Sequence, residues 1–321
     1  MSTVNTAAGP IDSSALGRVL MHEHVFIISP EMQNNVPEDW GDEDVRVADA
    51  RTRLTELKAA GIDTILDPTA LGLGRYIPRI ASLAKQIDLN IVVATGLYSF
   101  DEVPHYWKRR VPGSGPNGSD PMVNLFVRDI VEGIAGTGVK AAVIKCATDR
   151  PGVTPDVERV LRACAKAHVE TGTPITTHTF AASKCGLDQQ AIFKSEGVDL
   201  GRVVIGHCGD SDDLGYLEQL IGNGSIIGMD RFGIDGYQTT AKRVEVVAEL
   251  CSRGYADRMV LSHDASCYLD WIPGEVPPST MPHWHYLHIS HDVIPALLKA
   301  GVTEQQINTM LVDTPRRYFE S

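Results

Sequence analysis

Val19-Leu20-Met21-His22-Glu23-His24-Val25-Phe26 is the stretch whose reading decides the fold. It is an apolar run interrupted by two histidines one residue apart, and in an extended strand side chains two apart share a face, so both imidazoles can grip one ion. One His-x-His pair alone carries little weight, since a histidine on a strand is more often a hydrogen-bonded core residue. The weight comes from recurrence. Lys145, His178, His207 and Asp264 each close a further short apolar run, as in Pro174-Ile175-Thr176-Thr177-His178 and Val203-Val204-Ile205-Gly206-His207. Six ligand-type side chains at strand ends are expected to converge at one end of a parallel barrel.

Eight strands are predicted, at 18–25, 62–68, 90–96, 139–146, 174–178, 202–207, 225–229 and 258–263. Amphipathic runs lie between them, as at 45–60, 154–171 and 240–253, with apolar residues every three or four positions. Gly61, Gly172 and Gly254 fall where the helices before strands two, five and eight should stop. The alternation predicts an α/β fold, a (β/α)₈ TIM barrel formed by residues 1–321 as one domain. Two irregular stretches, 98–121 after strand three and 265–283 after strand eight, are expected as long loops that roof the pocket. The first leads into a helix at 122–135.

The chain has 321 residues, 43% of them hydrophobic, which is enough for one large core. Its net charge of -12 and lack of a basic cluster exclude a nucleic-acid partner. No stretch approaches the roughly 18 apolar residues of a membrane span, and residues 1–12 lack a basic start and an apolar signal core. A cytoplasmic protein is the expectation. The six cysteines, at 146, 164, 185, 208, 251 and 267, form no CxxC pair and read as reduced.

Lys145 is the odd member of the set, because an ammonium among metal ligands repels the cations. One reading is a lysine that pairs with a carboxylate such as Asp149. The other is a deprotonated amine that takes up carbon dioxide to give a carbamate, an anion able to bridge two metals. His263 adjoins Asp264 but points to the opposite face of a regular strand, as Glu23 does between its histidines. The late cluster His283, His285, His288 and His291 is expected to be solvated or to cap the final helix.

His22-Glu23-His24, Lys145, His178, Gly206-His207 and Ser262-His263-Asp264 together resemble the phosphotriesterase family of the amidohydrolase superfamily, in order and spacing over nearly the whole chain. The resemblance implies two divalent ions (Zn, Co, Mn or Fe), with His22, His24 and Asp264 on the buried one, His178 and His207 on the exposed one, and N6-carboxylysine at Lys145 between them. Tyr98, Arg231 and Trp271 are similar to the pocket residues of the phosphotriesterase-like lactonases. That implies opening of lactone rings, N-acyl homoserine lactones (quorum quenching) foremost, with phosphotriesterase side activity toward organophosphates. The alternatives are a genuine phosphotriesterase and a metal-binding barrel without catalysis. Asp264 is expected to accept the proton of the attacking water and return it to the alkoxide as the ring opens. Asp210 and Arg231 are candidates for a path carrying that proton outward, or for a barrel-rim ion pair. A homodimer is implied by the resemblance alone.

Overall fold

The computed structural model describes residues 2–271 and 280–320. Eight parallel strands follow one another around the molecule: β1 (Val19–Leu20), β2 (Thr64–Asp67), β3 (Asn90–Gly96), β4 (Val143–Thr148), β5 (Ile175–Thr179), β6 (Val203–Ile205), β7 (Ile226–Met229) and β8 (Met259–Leu261), each hydrogen-bonded to the next in chain order. The seam between β8 and β1 is closed by the Met21 amide donating to the Leu261 carbonyl at 3.4 Å, and above it by His24–Ile27 pairing in parallel with Ser266–Leu269. This is the α/β TIM barrel the sequence predicts.

The period-two alternation of the strands explains why the barrel is filled. Val19, Leu66, Val92, Ala94, Val143, Val204, Ile226 and Val260 form one buried apolar cluster, whereas their neighbours Leu20, Ile65, Ile91, Val93, Ile144, Ile205, Ile227 and Leu261 join a second, larger cluster with the helices. Val4 from the amino-terminal hairpin (Thr3–Thr6 with Gly9–Asp12) and Tyr318 and Phe319 from the last helix belong to the first cluster and floor the barrel.

The helices start and stop where side-chain chemistry permits. Asp42 accepts from the amides of Asp44 and Val45 to open Glu43–Ala59, and Thr154 accepts from Val157 ahead of Pro155–Thr171. The latter ends on Gly172, whose φ of 72° places it in the left-handed region. Thr240–Ser252 and Pro121–Val131 match the other predicted helices.

Four differences from the sequence expectation concern the mouth of the barrel. The first strand is not continuous over 18–25: it breaks after Leu20 and resumes at His24. The cause is Glu23, whose amide turns to the Leu66 carbonyl and whose buried carboxyl accepts from the amides of His263 and Ala265. β4 runs over 143–148 rather than 139–146, so Lys145 lies within the strand. β6 and β8 stop at Ile205 and Leu261, which leaves His207 and Asp264 on turns just past the strands, with φ of 61° and 56°. The stretch after β3 is a loop with helical turns at His105–Lys108 and Pro116–Gly118; part of the stretch expected after β8 lies outside the described residues.

Candidate metal centre

The six predicted side chains are all brought together at the carboxyl end of the strands. His22 and His24 come from the break after β1, with ring centres 5.6 Å apart. Asp264 Oδ1 lies 3.6 Å from His22 Nε2 and 3.3 Å from His24 Nε2. Lys145 Nζ is 3.1 Å from His22 Nε2, and His207 Nε2 is 2.9 Å from His178 Nδ1 and 3.9 Å from Asp264 Oδ2. His22, His24 and Asp264 form a group able to hold a metal ion, with ligand atoms all within 4.8 Å of one another.

The outward nitrogens explain why the inward ones are free to bind. His207 Nδ1 lies 2.9 Å from Asp230 Oδ1, and His22 Nδ1 lies 3.2 Å from Asp230 Oδ2. His24 Nδ1 meets Thr69 Oγ1 at 2.7 Å, and that hydroxyl donates in turn to Asp67. His178 is turned the other way, its Nε2 held by Asp149 at 2.6 Å. A carboxylate accepts and does not donate, so each outward nitrogen carries the proton and each inward nitrogen presents a lone pair. His178 Nδ1 and His207 Nε2 therefore face each other at 2.9 Å as two bare acceptors, a contact that is repulsive until a cation shares it. That donor set fits divalent metal ions.

Burial sets the charge states in the same direction. It pushes His178 down to about 4 against the hydrogen bond His178 donates to Asp149, and holds His22 and His207 below the usual histidine range, with Lys145 and Arg231 respectively adding to the effect. All three shifts favour the neutral imidazole. Burial also brings the Lys145 ammonium down to about 8, which puts a free amine within reach near neutral pH. Asp264 goes the other way: its burial is outweighed by His22, His24, His207 and Arg231, and the carboxylate stays ionised well below its ordinary range.

A chain of charges leads away from Asp264. Arg231 Nε donates to Asp264 Oδ2 at 3.0 Å and its Nη1 to Asp210 Oδ2 at 2.9 Å, while Asp210 Oδ1 accepts from the buried Arg243 at 2.6 Å. Arg231 is buried, yet Asp264 and Asp210 raise it above its ordinary value. The chain is contiguous from Asp264 through Arg231 and Asp210 to Arg243, as an ion-pair network at the rim of the barrel.

Above these groups opens a cavity of ≈ 410 Å³. Tyr98 and Trp271, singled out by sequence, both line it; the Tyr98 hydroxyl is 3.3 Å from His178 Nδ1 and the two rings pack 5.9 Å apart. Ile27, Leu73, Ile234, Leu269, Met281 and Trp284 supply most of the remaining apolar wall.

Of three carboxyl groups that shape the centre, one escaped the sequence reading and two were read without their partners. Asp230 closes the apolar run of β7 as the other site residues close theirs, and that signal was there to be read. Asp149 pairs with His178, not with Lys145 as the alternative for that lysine required. Glu23 does face away from the ions, but toward His263, whose Nδ1 it meets at 2.6 Å. His288, expected to be solvated or to cap the final helix, is buried at 2% exposure and makes no side-chain cap bond, because its ring is enclosed between Asp292 and Thr240.

Comparison with known proteins gives a consistent result. The sequence model of the phosphotriesterase family matches residues 2–319. The chain is 62% identical over 320 residues to the phosphotriesterase homology protein of Mycobacterium tuberculosis strain H37Rv, covering 100% of this chain and 98% of the relative. A solved structure of the phosphotriesterase from Mycobacterium tuberculosis matches with a TM-score of 0.97 at 62% identity, over 99% of this chain and 98% of the other. The aryldialkylphosphatase of Saccharolobus solfataricus is 38% identical over 314 residues, 96% of each chain.

Proposed function

The chain belongs to the phosphotriesterase family of binuclear-metal hydrolases, and on that premise we propose that it opens lactone rings, N-acyl homoserine lactones being the substrate class, with phosphotriester hydrolysis as a side activity. The observation that carries this reading is the Tyr98 hydroxyl, set 3.3 Å from His178 at the wall of an apolar cavity. Burial raises its pKa, so it is a hydrogen-bond donor at every working pH. Such a donor suits a carbonyl substrate that must be held in one orientation.

His22, His24 and Asp264 would hold one ion, His178 and His207 the second, and Lys145 both, as its carbamate. Divalent ions bound there supply a water acidified into the neutral range and Lewis-acid polarisation of the scissile carbonyl or phosphoryl group. Zn, Co, Mn and Fe all suit this mixture of imidazole and oxygen donors. The remaining work falls to the chain. Asp230, Asp149 and Thr69 keep the outward nitrogens protonated and the rings aligned. Asp264, kept anionic, is the base that takes the proton of the attacking water and returns it to the leaving alkoxide. Arg231 holds Asp264 in place through Oδ2. Phe100, Trp271 and Trp284 exclude water from the acyl side.

A second reading, aryldialkylphosphatase, is favoured by the name of the Saccharolobus relative at 38% identity. A tetrahedral phosphorus centre offers no planar carbonyl for Tyr98 to orient. Comparing kcat/KM for a long-chain N-acyl homoserine lactone and an aryl dialkyl phosphate, in wild type and Y98F, separates the two. The lactonase reading expects the lactone to lead by roughly 100-fold, about 2.7 kcal/mol, and Y98F to erase most of that lead. A lead for the phosphate, untouched by Y98F, favours the second reading. The family resemblance further leads us to propose a homodimer, and the sequence pattern a cytoplasmic location; among the described residues no helix is long and apolar enough to cross a membrane.

A further inference from the structure

The segment His283-Trp284-His285-Tyr286-Leu287-His288 carries three histidines that the barrel centre does not use. One ligand atom each of His283, His288 and Asp292 lies within 4.8 Å of those of the other two. His288 and Asp292 are one helical turn apart, at the start of the wide turn Ile289–Val293 that leads into the helix Ile294–Lys299, with Nδ1 2.8 Å from Oδ2. The His283 ring reaches the same place, its centre 5.0 Å from that of His288 and its plane tilted by 30°.

Two features make this arrangement a built one. Gly233, with a φ of 98°, lies so close to the His283 carbonyl that a Cβ there would sit 2.1 Å from its oxygen, so the backbone of His283 is seated against a position that tolerates no side chain. His288 is 2% exposed, and its Nε2 is fixed by Thr240 Oγ1 at 3.0 Å. The Asp292 carboxyl accepts the Nδ1 proton, and Nε2 faces the Thr240 hydroxyl, which also reaches Asp235 Oδ1 at 3.3 Å. A metal-binding histidine held by such an outer partner has its ring orientation set before the ion arrives.

We propose that His283, His288 and Asp292 form a further divalent-cation site, separate from the barrel centre and suited to borderline ions such as Zn²⁺, Co²⁺ or Ni²⁺. Two imidazoles and one carboxylate are the donors these ions prefer, whereas Mg²⁺ and Ca²⁺ take oxygen. The ion occupies the place of the Nδ1 proton. That proton moves to Nε2, which donates to the Thr240 hydroxyl while the hydroxyl donates to Asp235, and the buried ring stays neutral. His285, with its ring centre 6.0 Å from that of His288 and its Nδ1 accepting from the Leu287 amide, can supply a fourth donor through Nε2; water is the alternative.

The site bears on the cavity wall. Trp284 sits between two of these histidines, lines the active-site cavity and donates from Nε1 to the Asp264 carbonyl at 3.1 Å. Beyond His288, the Ile289 amide donates to His263 Nε2 at 2.8 Å. An ion joining His283 to His288 and Asp292 thus fixes both ends of the segment that carries Trp284.

The test uses full-length protein reconstituted with Zn²⁺, wild type against the double variant H283A/D292N. Metal per chain is measured by elemental analysis after equilibrium dialysis across a range of free Zn²⁺, and Tm is measured at the same points. We expect wild type to hold one equivalent more than the variant, and its Tm to rise over the range where that equivalent binds. The difference is the readout, so it does not depend on how many ions the barrel holds. Both replaced side chains are exposed, and unchanged Tm of the variant at the lowest free Zn²⁺ confirms its fold. Equal metal content at every concentration overturns the proposal. A deficit of more than one equivalent overturns it too, because the barrel ions would then be what the variant lost.

Discussion

The two ends of the same eight strands are built from opposite chemistry. At the floor, Val19, Leu66, Val92, Val143, Val204, Ile226 and Val260 pack with Phe319 and the ring of Tyr318, all buried and, the Tyr318 hydroxyl apart, all apolar. At the mouth, His22, His24, Lys145, His178 and His207 are buried to a similar degree, yet each carries a polar atom aimed at the others. Between Val143 and Lys145 the change takes one step of two residues along one face of one strand. The floor gains its stability from removing apolar surface from water, whereas the mouth holds lone pairs against each other and keeps His207 and Asp264 at positive φ. Stability and chemistry are thereby separated along the barrel axis.

That separation can be broken, and the largest effect should come from the mouth. D264N keeps the shape of the side chain but removes the charge that Arg231 and the histidines stabilise. Turnover should fall on the order of 10³-fold, about 4 kcal/mol, with a smaller loss in denaturant midpoint than a floor variant shows, since Arg231 keeps Asp210 as a partner. Steady-state kinetics alongside unfolding curves checks both halves. L66A should do the reverse: a loss of about 3 kcal/mol in stability from the cavity it leaves, with kcat/KM of the folded enzyme unchanged. A large kinetic defect in L66A would mean that the two ends are not independent.

Acid should distinguish the ends in metal-stripped protein. His178 is pushed down to about 4 by burial, against 6.5 when unfolded, so as pH falls the unfolded chain takes up its proton first. The stability this group contributes is complete above pH 6.5 and is lost as pH falls to about 4, up to about 3 kcal/mol. Denaturant midpoints measured across that window in apo protein should drop, and H178N should drop less. The smallest effect is expected outside the donor set: D230N should weaken metal binding by about 10- to 100-fold through His22 and His207, read by competition with a chelator.

Much of this was legible in the sequence, for a reason the comparison makes plain. Parallel strands buried on both faces read as short apolar runs, and a polar residue that closes such a run stands out against them, as His178 and His207 do. Lys145 stood out in the same way, although the carbamylation proposed for it would be a covalent event no sequence records. What the sequence did not carry was the backbone at the mouth. The break at Glu23 and the turn at Asp264 depend on hydrogen bonds to residues some 240 positions away, such as Glu23 with His263, and the turn at His207 on Asp230 from the next strand. Local pattern cannot register those. Asp230 was missed, and Asp149 read without its partner, because they face the histidines from behind, one from the end of another strand and one from the loop after β4.

Lys145 carries the account most directly, since a buried ammonium and two metal ions cannot share one pocket. Metal-reconstituted protein should be equilibrated with ¹³C-labelled bicarbonate and examined by ¹³C NMR. The account predicts one carbamate carbon per chain, present only when divalent metal is bound and absent in K145M. Full hydrolytic activity with no labelled carbon on Lys145 would contradict it.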